Sequence, residues 1–214
     1  MFASKPEGDE IVAVEHVNRQ GRVYYLLRGT AKTGKLHFYF AMKPRGALAE
    51  AIPKGYEVYE HPEDAQVFLR RKRPRKITEL EQAMLEECIR RRAKASCCIV
   101  KADGDSLVVH LADIEEVEAA EDVDELGRFL TRDRRAQLVQ RRILRGRFTK
   151  VMRFRLVDAR KRLFSVERWC FRGSTDNWIP LDDGGALRTV AEKYVPHLGR
   201  ASFFELSWGG RSVR

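Results

Sequence analysis

Arginine and lysine are the side chains whose number and spacing in this sequence indicate a chemical role. From Leu126 to Arg162, fourteen basic residues accompany only two acidic ones, Asp133 and Asp158, which gives the segment a net charge of +12. Guanidinium groups bind phosphate oxygens through paired, fork-shaped hydrogen bonds. The whole chain carries +10, so this segment holds the entire positive excess. The sequence therefore predicts a surface that binds the phosphate backbone of DNA or RNA.

An acidic segment directly precedes this basic one. Asp113 to Glu125 contains eight acids and no base. Two opposed segments either present an anion-binding face or neutralise each other in the fold, and the sequence leaves both open. The alternative function is therefore a protein-interaction or adaptor module that docks on partners or on a second copy of itself. A third interpretation is a solvated surface that the acidic segment covers.

A second basic run, Arg70-Arg71-Lys72-Arg73-Pro74-Arg75-Lys76, lies earlier in the chain. Six of its seven residues are cationic, and the proline favours an extended backbone. It is interpreted either as an arm that binds phosphate groups or as a solvated linker between two modules.

The helix that positions many of the basic residues follows from the spacing of apolar ones. Helical periodicity predicts a helix that starts in the acidic segment, breaks near Thr131 and stops at Gly146. The arginines of this segment occupy the opposite face. The predicted inward residues are Leu126, Phe129, Leu130, Ala136, Val139 and Ile143.

Two strands after this helix repeat the separation of charge from core. Val151–Val157 alternates apolar residues with Arg153 and Arg155, so one face packs and the other presents guanidinium groups. After a turn at Asp158–Lys161 the chain returns as Leu163–Arg172. A sheet of this kind beside an arginine-lined helix predicts a cradle for a phosphate backbone. The predicted phosphate-binding residues are Arg70, Arg71, Lys72, Arg73, Arg75, Lys76, Arg134, Arg135, Arg141, Arg142, Arg145, Arg153, Arg155, Arg168 and Arg172.

Two tryptophans, Trp169 and Trp178, bracket a polar loop next to these strands. Aromatic rings beside arginines can stack on unpaired bases, which would add single-strand recognition to phosphate binding. The more frequent role of such tryptophans is to anchor a loop or fill a core. Base stacking is therefore a second expectation for this pair.

Signals for catalysis are weak. Gly29-Thr30-Ala31-Lys32-Thr33-Gly34-Lys35 matches part of a nucleotide-binding loop, but Leu36 and a strand follow, which favours a hairpin turn. A restriction-type nuclease needs an acid followed by an E-x-K triplet, and after Asp158 the nearest match, Glu167-Arg168-Trp169, has tryptophan in place of lysine. An enzyme is the less favoured class, and no catalytic residue is predicted.

No metal or cofactor is predicted either. Adjacent strand residues point to opposite faces, so Cys97 and Cys98 cannot both serve one tetrahedral site without distortion. The histidines show no ligand spacing. All four cysteines, including Cys88 and Cys170, are interpreted as small buried apolar residues kept reduced.

The remaining pattern predicts an α+β fold of antiparallel hairpins packed with about three to four helices. The expected division is a β-rich module at 1–75, with the basic arm at its end, and an α+β module at 76–214, unless the two form one integrated domain. The predicted strands outside the basic segment are Ile11–Val17, Arg22–Arg28, Leu36–Met42, Tyr56–Tyr59, Gln66–Arg70, Cys97–Lys101, Leu107–Leu111 and Ala201–Ser207. The predicted helices are a short helix Pro44–Ile52, a helix from Thr78 to near Ala95, and Ala186–Tyr194 after a turn at Asp182–Gly185. The helix that begins at Thr78 has capping-box spacing in Thr78–Glu81 and a predicted apolar stripe of Leu80, Met84, Leu85, Cys88 and Ile89.

Three stretches of the sequence resemble a family of bacterial proteins of uncharacterised activity. They are the hairpin Lys32–Lys35, the stretch Gly55–Glu60, and Val166–Ser174 followed by Trp178–Pro180. The resemblance implies one integrated architecture and a bacterial cytoplasmic origin, and it supplies no activity, cofactor or catalytic residue. A cytoplasmic location also agrees with the polar start of the chain at Met1–Asp9 and with apolar runs too short for a membrane helix.

Overall fold

Antiparallel strands are the most abundant regular secondary structure in the described part of the chain. The computed structural model describes residues 13–93, 98–113, 131–170 and 176–206, and within these ranges the strands form three antiparallel sheets alongside three α-helices. The predicted α+β class is confirmed, although sheets dominate and the helices do not reach four in the described residues. The chain divides into two units. The first contains the described residues up to His61 together with Ala65–Lys72, and the second contains Pro62–Asp64 and those from Arg73 onward.

The first unit is built from short strands joined by tight turns. Its strands are β1 (Glu15–Val17), β2 (Val23–Thr30), β3 (Leu36–Ala41), β4 (Ala47–Leu48), β5 (Tyr56–Glu60) and β6 (Val67–Arg71). β2 lies at the centre of the sheet, with β3 on one edge and β1 and β4 on the other. β5 and β6 form a separate hairpin. Both predicted hairpins of this region are confirmed.

The segment Gly29–Lys35 is the turn between β2 and β3. The amide of Ala31 donates to the carbonyl of Lys35 at 2.9 Å, and the amide of Gly34 donates to the carbonyl of Ala31 at 2.8 Å. Gly34 has a φ of +78°, a left-handed conformation that glycine adopts without strain. The hairpin interpretation is confirmed, because a strand follows where a nucleotide-binding loop would need a helix.

The predicted helix at Pro44–Ile52 is wrong. Gly46 has a φ of +132°, which no α-helix contains, and Ala47 and Leu48 pair with β2 instead. The next residue, Ala49, donates its amide to the carbonyl of Leu26 at 2.9 Å. The apolar residues of this segment thus complete a sheet edge rather than one face of a helix.

The described residues of the second unit contain a five-stranded sheet in which neighbours along the chain are neighbours in space. Helices cover one of its faces, which is here called the core face, and the other is called the outer face. The elements are α1 (Glu79–Arg92), β7 (Cys98–Asp103), β8 (Ser106–Ala112), α2 (Arg132–Arg145), β9 (Phe148–Asp158), β10 (Leu163–Cys170), β11 (Asn177–Ala186) and α3 (Leu187–Tyr194).

The main core lies between this sheet and helices α1 and α3. β9 is the middle strand, and its alternating residues Met152, Phe154 and Leu156 are buried, as the sequence predicts. Residues from both helices pack on them, including Leu85, Ile89 and Tyr194. The hydroxyl of Tyr194 donates to the carbonyl of Leu181 at 2.9 Å, so this buried polar atom is satisfied.

One residue of the predicted apolar stripe of α1 does not join this core. Leu85, Cys88 and Ile89 are buried, whereas Leu80 is 83% exposed. At about 100° per residue, Leu80 lies on the opposite side of the helix from Leu85 and Ile89. The prediction for Leu80 is therefore wrong, and the true stripe is narrower.

Two predictions for the C-terminal part of the described chain are wrong. Asp182–Gly185, predicted as a turn, belongs to β11, an edge strand whose pairing with β10 is interrupted by bulges. An edge position tolerates the proline and glycines of this strand. Ala201–Ser207, predicted as a strand, contains a 3-10 helix at Ala201–Phe203 instead. Phe203 and Leu206 are buried three residues apart, a helical rather than an alternating spacing.

The start of α1 is fixed by a capping box and an ion pair. The hydroxyl of Thr78 accepts from the amide of Glu81 at 3.2 Å, and the Glu81 carboxylate accepts from the amide of Thr78 at 2.9 Å. The guanidinium of Arg162, in the turn between β9 and β10, donates to the same carboxylate at 2.8 Å. Burial acts to raise the pKa of Glu81, but the hydrogen bonds from Arg162 and Thr78 outweigh it and hold that pKa below its ordinary value. The predicted capping box is confirmed.

Replacing Glu81 by glutamine is expected to lower the free energy of unfolding by about 1–2 kcal/mol at neutral pH. Because the folded-state pKa is depressed, the carboxylate stabilises the fold above its ordinary pKa of 4.5, and this stabilisation is lost as the pH falls through the lower folded value. Urea unfolding of the wild type and E81Q between pH 3 and 7 measures it. E79Q, on the same turn but 90% exposed, is the control. A constant difference across that range would contradict the assignment.

Candidate functional site

The helix α2 carries the densest unpaired positive charge in the described residues. Thr131 precedes it as the N-cap, and Gly146 ends it, which confirms the predicted stop. The helix predicted to start in the acidic segment before Thr131, with Leu126, Phe129 and Leu130 inward, lies outside the described residues. The predicted inward residues Val139 and Ile143 are half-buried and buried, and Ile143 packs against Ala112. Ala136 is exposed, contrary to prediction, because the packing of this helix against other described residues is confined to its second half.

Four arginines of α2 surround one leucine. On a helix, residues three and four positions apart are neighbours. Leu138 therefore has Arg134 and Arg135 on the turn before it and Arg141 and Arg142 on the turn after it. These four arginines, called here the arginine quartet, are exposed, and Leu138 is 44% exposed at their centre.

The quartet has no counter-charge within the described residues. None of its guanidinium groups lies within ion-pair distance of a described carboxylate, and the same holds for Arg132 and Arg145 on this helix. Arginines on other elements do contact carboxylates, as in Arg162 with Glu81 and Arg92 with Glu192. Six arginines and one acid, Asp133, give α2 a charge of +5. Within the described residues, the positive charge of this helix therefore has no ion-pair partner, and the acidic residues 115–125 lie outside them.

The arginines of the sheet, in contrast, are largely neutralised. Arg153 is directly opposite Glu167 on β10 and forms an ion pair with it. Arg155 lies 3.9 Å from the same carboxylate. Both arginines lie on the outer face, as predicted, but they share one counter-charge. The sheet is therefore less cationic than its sequence suggests.

Arg168 does not join these arginines. It pairs with the fully buried Met152, and directly paired residues point to the same face, so its side chain leaves the sheet on the core face. Its Nε atom is buried with no hydrogen-bond partner among the described residues. Arg172 lies outside the described residues, as do Cys97 and the segment 114–130.

The two tryptophans form a cross-strand pair on the outer face. Trp169 lies opposite Trp178, with ring centroids 5.1 Å apart and planes inclined by 66°. The Lys150 ammonium lies 4.0 Å from the centroid of Trp169, and the Arg153 guanidinium 4.6 Å from that of Trp178. Each ring thus has a cation over one face, worth about 0.5–1 kcal/mol at an exposed site. This packing leaves less ring surface for a base, and base stacking stays a prediction.

The residues of the predicted basic arm belong to both units. In the first, Arg70 lies in β6, with its guanidinium 2.8 Å from Glu57 and 3.9 Å from the ring centroid of Tyr59. Arg71 ends β6, and Lys72 donates its amide to the carbonyl of Gly55. β6 ends one residue later than predicted, at Arg71, so Arg70 and Arg71 belong to the sheet rather than to an arm.

In the second unit, the remaining residues of the run are exposed and make surface contacts. Arg73 lies 3.3 Å from Asp103, and Arg75 lies 3.5 Å from Glu79. Lys76 donates its amide to the carbonyl of Gly104. Exposed pairs of this kind contribute at most about 1 kcal/mol, so phosphate could compete for these side chains.

The carboxylates considered for metal-dependent cleavage serve other roles. Asp158 accepts the amides of Arg160 and Lys161 at 2.9 and 2.8 Å and so shapes the turn after β9. Glu167 pairs with Arg153, five residues from Asp158 along β9, which is about 17 Å of strand. The described residues contain no group of three or more metal-ligating side chains. The nuclease interpretation gains no support from this arrangement.

Several residues of the surface were not predicted from sequence. Leu138 could have been found, because its spacing from the quartet follows from helix geometry alone. Glu167 and Lys150 could not, because their roles depend on strand register and on a bulge beside Lys150.

None of the helices in the described part of the chain is long and apolar enough to cross a membrane.

Comparison of the chain with protein-family models, with curated proteins and with solved structures found no match.

Proposed function

We propose that this protein binds nucleic acid and that α2 is its principal phosphate-binding element. The observation that carries the proposal is the arginine quartet, whose guanidinium groups are exposed and have no carboxylate partner among the described residues. Guanidinium forks bind the paired oxygens of phosphate groups through bidentate hydrogen bonds, as they also bind carboxylates.

The charge balance of the second unit supports this choice of element. Arginines of α1 and of the sheet are placed against carboxylates, as in Arg92 with Glu192 and Arg153 with Glu167. α2 concentrates a net +5 on about 21 Å of helix. Like charges this close repel one another, so an isolated folded state bears a cost that a polyanion would remove.

Binding to the backbone of a nucleic acid has a measurable signature. Each phosphate that a basic side chain neutralises releases condensed counterions, so log affinity falls with log salt by about 0.9 per contact on duplex DNA. Contacts from four or five arginines of α2 predict a slope of about −3.6 to −4.5.

Fluorescence anisotropy with labelled duplex DNA, single-stranded DNA and RNA between about 50 and 200 mM salt tests the proposal. Nuclease-treated protein is required so that co-purified nucleic acid does not occupy the site. We expect saturable binding to at least one nucleic acid, with the slope given above on duplex DNA and about −0.7 per contact on a single strand. No binding at 50 mM salt would overturn the proposal.

The alternative of an adaptor that docks on an acidic protein uses the same exposed charge. A polyglutamate peptide of the same net charge as the oligonucleotide separates the two. Carboxylates lack the tetrahedral phosphate geometry, and peptide has no condensed counterion layer of comparable density. Polyglutamate binding equal in affinity to that of nucleic acid would favour the adaptor function.

A further inference from the structure

We propose that α2 enters the major groove of double-stranded B-form DNA and sets Leu138 against the groove floor. This proposal rests on the proposed phosphate binding and goes further, because it names the duplex form and the groove. It is carried by three features of α2: its exposure, the arrangement of the arginine quartet and the position of Leu138.

The N-terminal part of α2 is exposed on every side. All residues from 131 to 138 are exposed, and they cover two helical turns, so no sector of the helix there is packed against the described fold. The buried residue, Ile143, lies in the last turn. Among the described residues, this part of the helix therefore presents every side to a ligand, whereas a helix lying flat on a core presents one face only.

The dimensions of the free part suit the major groove. An α-helix with side chains is about 10–12 Å across, and the major groove of B-form DNA is about 12 Å wide and 8.5 Å deep. The wide, shallow minor groove of an RNA helix offers no such walls, and its major groove is too narrow for a helix. A single strand has no groove at all.

The quartet forms two rows that match the two walls of a groove. Arg134 and Arg141 lie seven residues apart on one side of α2, a rise of about 10.5 Å. Arg135 and Arg142 form a parallel row about 100° around the helix. Two rows at this angle can contact the phosphates of both DNA strands, while the sector of the helix between the rows faces the bases.

Leu138 occupies that sector. Its side chain is 44% exposed with a guanidinium on each of four sides, a position where an apolar group gains little from the fold. The floor of the major groove supplies an apolar partner there, the C5-methyl group of thymine. The arginines of the quartet thus bind the phosphate backbones of both DNA strands, and Leu138 contacts the bases.

The first arm of the test compares ligands. Duplex DNA, duplex RNA of the same sequence and single-stranded DNA are titrated at one salt concentration against wild-type protein. We expect duplex DNA to bind at least about tenfold more tightly than duplex RNA, since the helix fits only the former groove. Equal affinity for all three, with a steep salt slope, would overturn groove insertion and leave the proposed phosphate binding intact. No binding to any of them would overturn both.

The second arm tests Leu138 with a double cycle. Wild type and L138A are titrated with an A·T-rich duplex and with the same duplex containing deoxyuridine in place of thymidine. Burial of about one methyl group predicts that affinity falls three- to fivefold when either the Leu138 side chain or the thymine methyl group is removed. Removing both should lower affinity little further, because they contact each other. L80A, the same truncation at an exposed position of α1, should leave both affinities unchanged.

The salt dependence identifies what Leu138 does. L138A removes no charge, so its slope should equal that of the wild type while its affinity for the thymine duplex falls. Circular dichroism confirms that α2 still forms, which alanine favours. Equal losses for the thymine and uracil duplexes would overturn the contact with the groove floor.

Discussion

Replacement of Phe154 by alanine is expected to lower the free energy of unfolding by about 3–5 kcal/mol, the range for truncating a fully buried phenylalanine. Phe154 has 0% exposure on the middle strand β9, where it lies between Leu107 of β8 and Val166 of β10. Strands on both sides hold the cavity walls in place, so the site has little freedom to collapse. Urea unfolding monitored by circular dichroism measures the change.

Phe204 provides the matched control, because it undergoes the same truncation at a side chain that is 75% exposed. F204A is expected to stay within about 0.5 kcal/mol of the wild type. An F154A variant that is destabilised no more than F204A would contradict the position of the core between the sheet and helices α1 and α3.

The core of the second unit could be predicted from sequence because its strands carry a direct signal. Met152, Phe154 and Leu156 alternate with arginines, and a period of two assigns faces without knowledge of neighbouring strands. The capping box at Thr78 is equally local. Such features need only the geometry of one element.

The wrong prediction of a turn at Asp182–Gly185 has a non-local cause. β11 contains Pro180, Asp182 and Gly184, which locally favour a turn, yet it is held as a strand by pairing with β10. Gly185 of this strand also lies where a Cβ atom would come within 2.9 Å of Val190 in α3, so its glycine serves close packing rather than a turn. Pairing with β10 and packing against α3 thus override the local preference of this segment for a turn.

The candidate site shows the same division. The arginine quartet is local, because i±3 and i±4 spacing on α2 brings its members together around Leu138. The neutralisation of Arg153 by Glu167 depends on hairpin register, which the sequence does not state. A count of charges along the chain therefore overestimates the unpaired positive charge of the sheet. For α2, the same count agrees with the exposed arginines among the described residues.

Neutralising the quartet is expected to produce the largest loss of binding of any four-residue change in the described chain. In the variant R134Q/R135Q/R141Q/R142Q, each lost phosphate contact should reduce the salt slope by about 0.9, so the slope should fall in magnitude by about 3.6. At about 1 kcal/mol per contact, affinity for the preferred nucleic acid should fall by two to three orders of magnitude. Glutamine keeps helix propensity and side-chain length, so α2 should still form.

The control must remove the same charge from elsewhere, because lowering net charge weakens any polyanion binding. Exposed arginines on α1 and α3 meet this requirement, and those of α1 already contact carboxylates. This control should keep nearly the full slope, since long-range charge is screened beyond about 10 Å at 0.1 M salt. If both variants lose affinity and slope equally, net charge rather than α2 governs binding. The control variant is R90Q/R91Q/R92Q/R188Q.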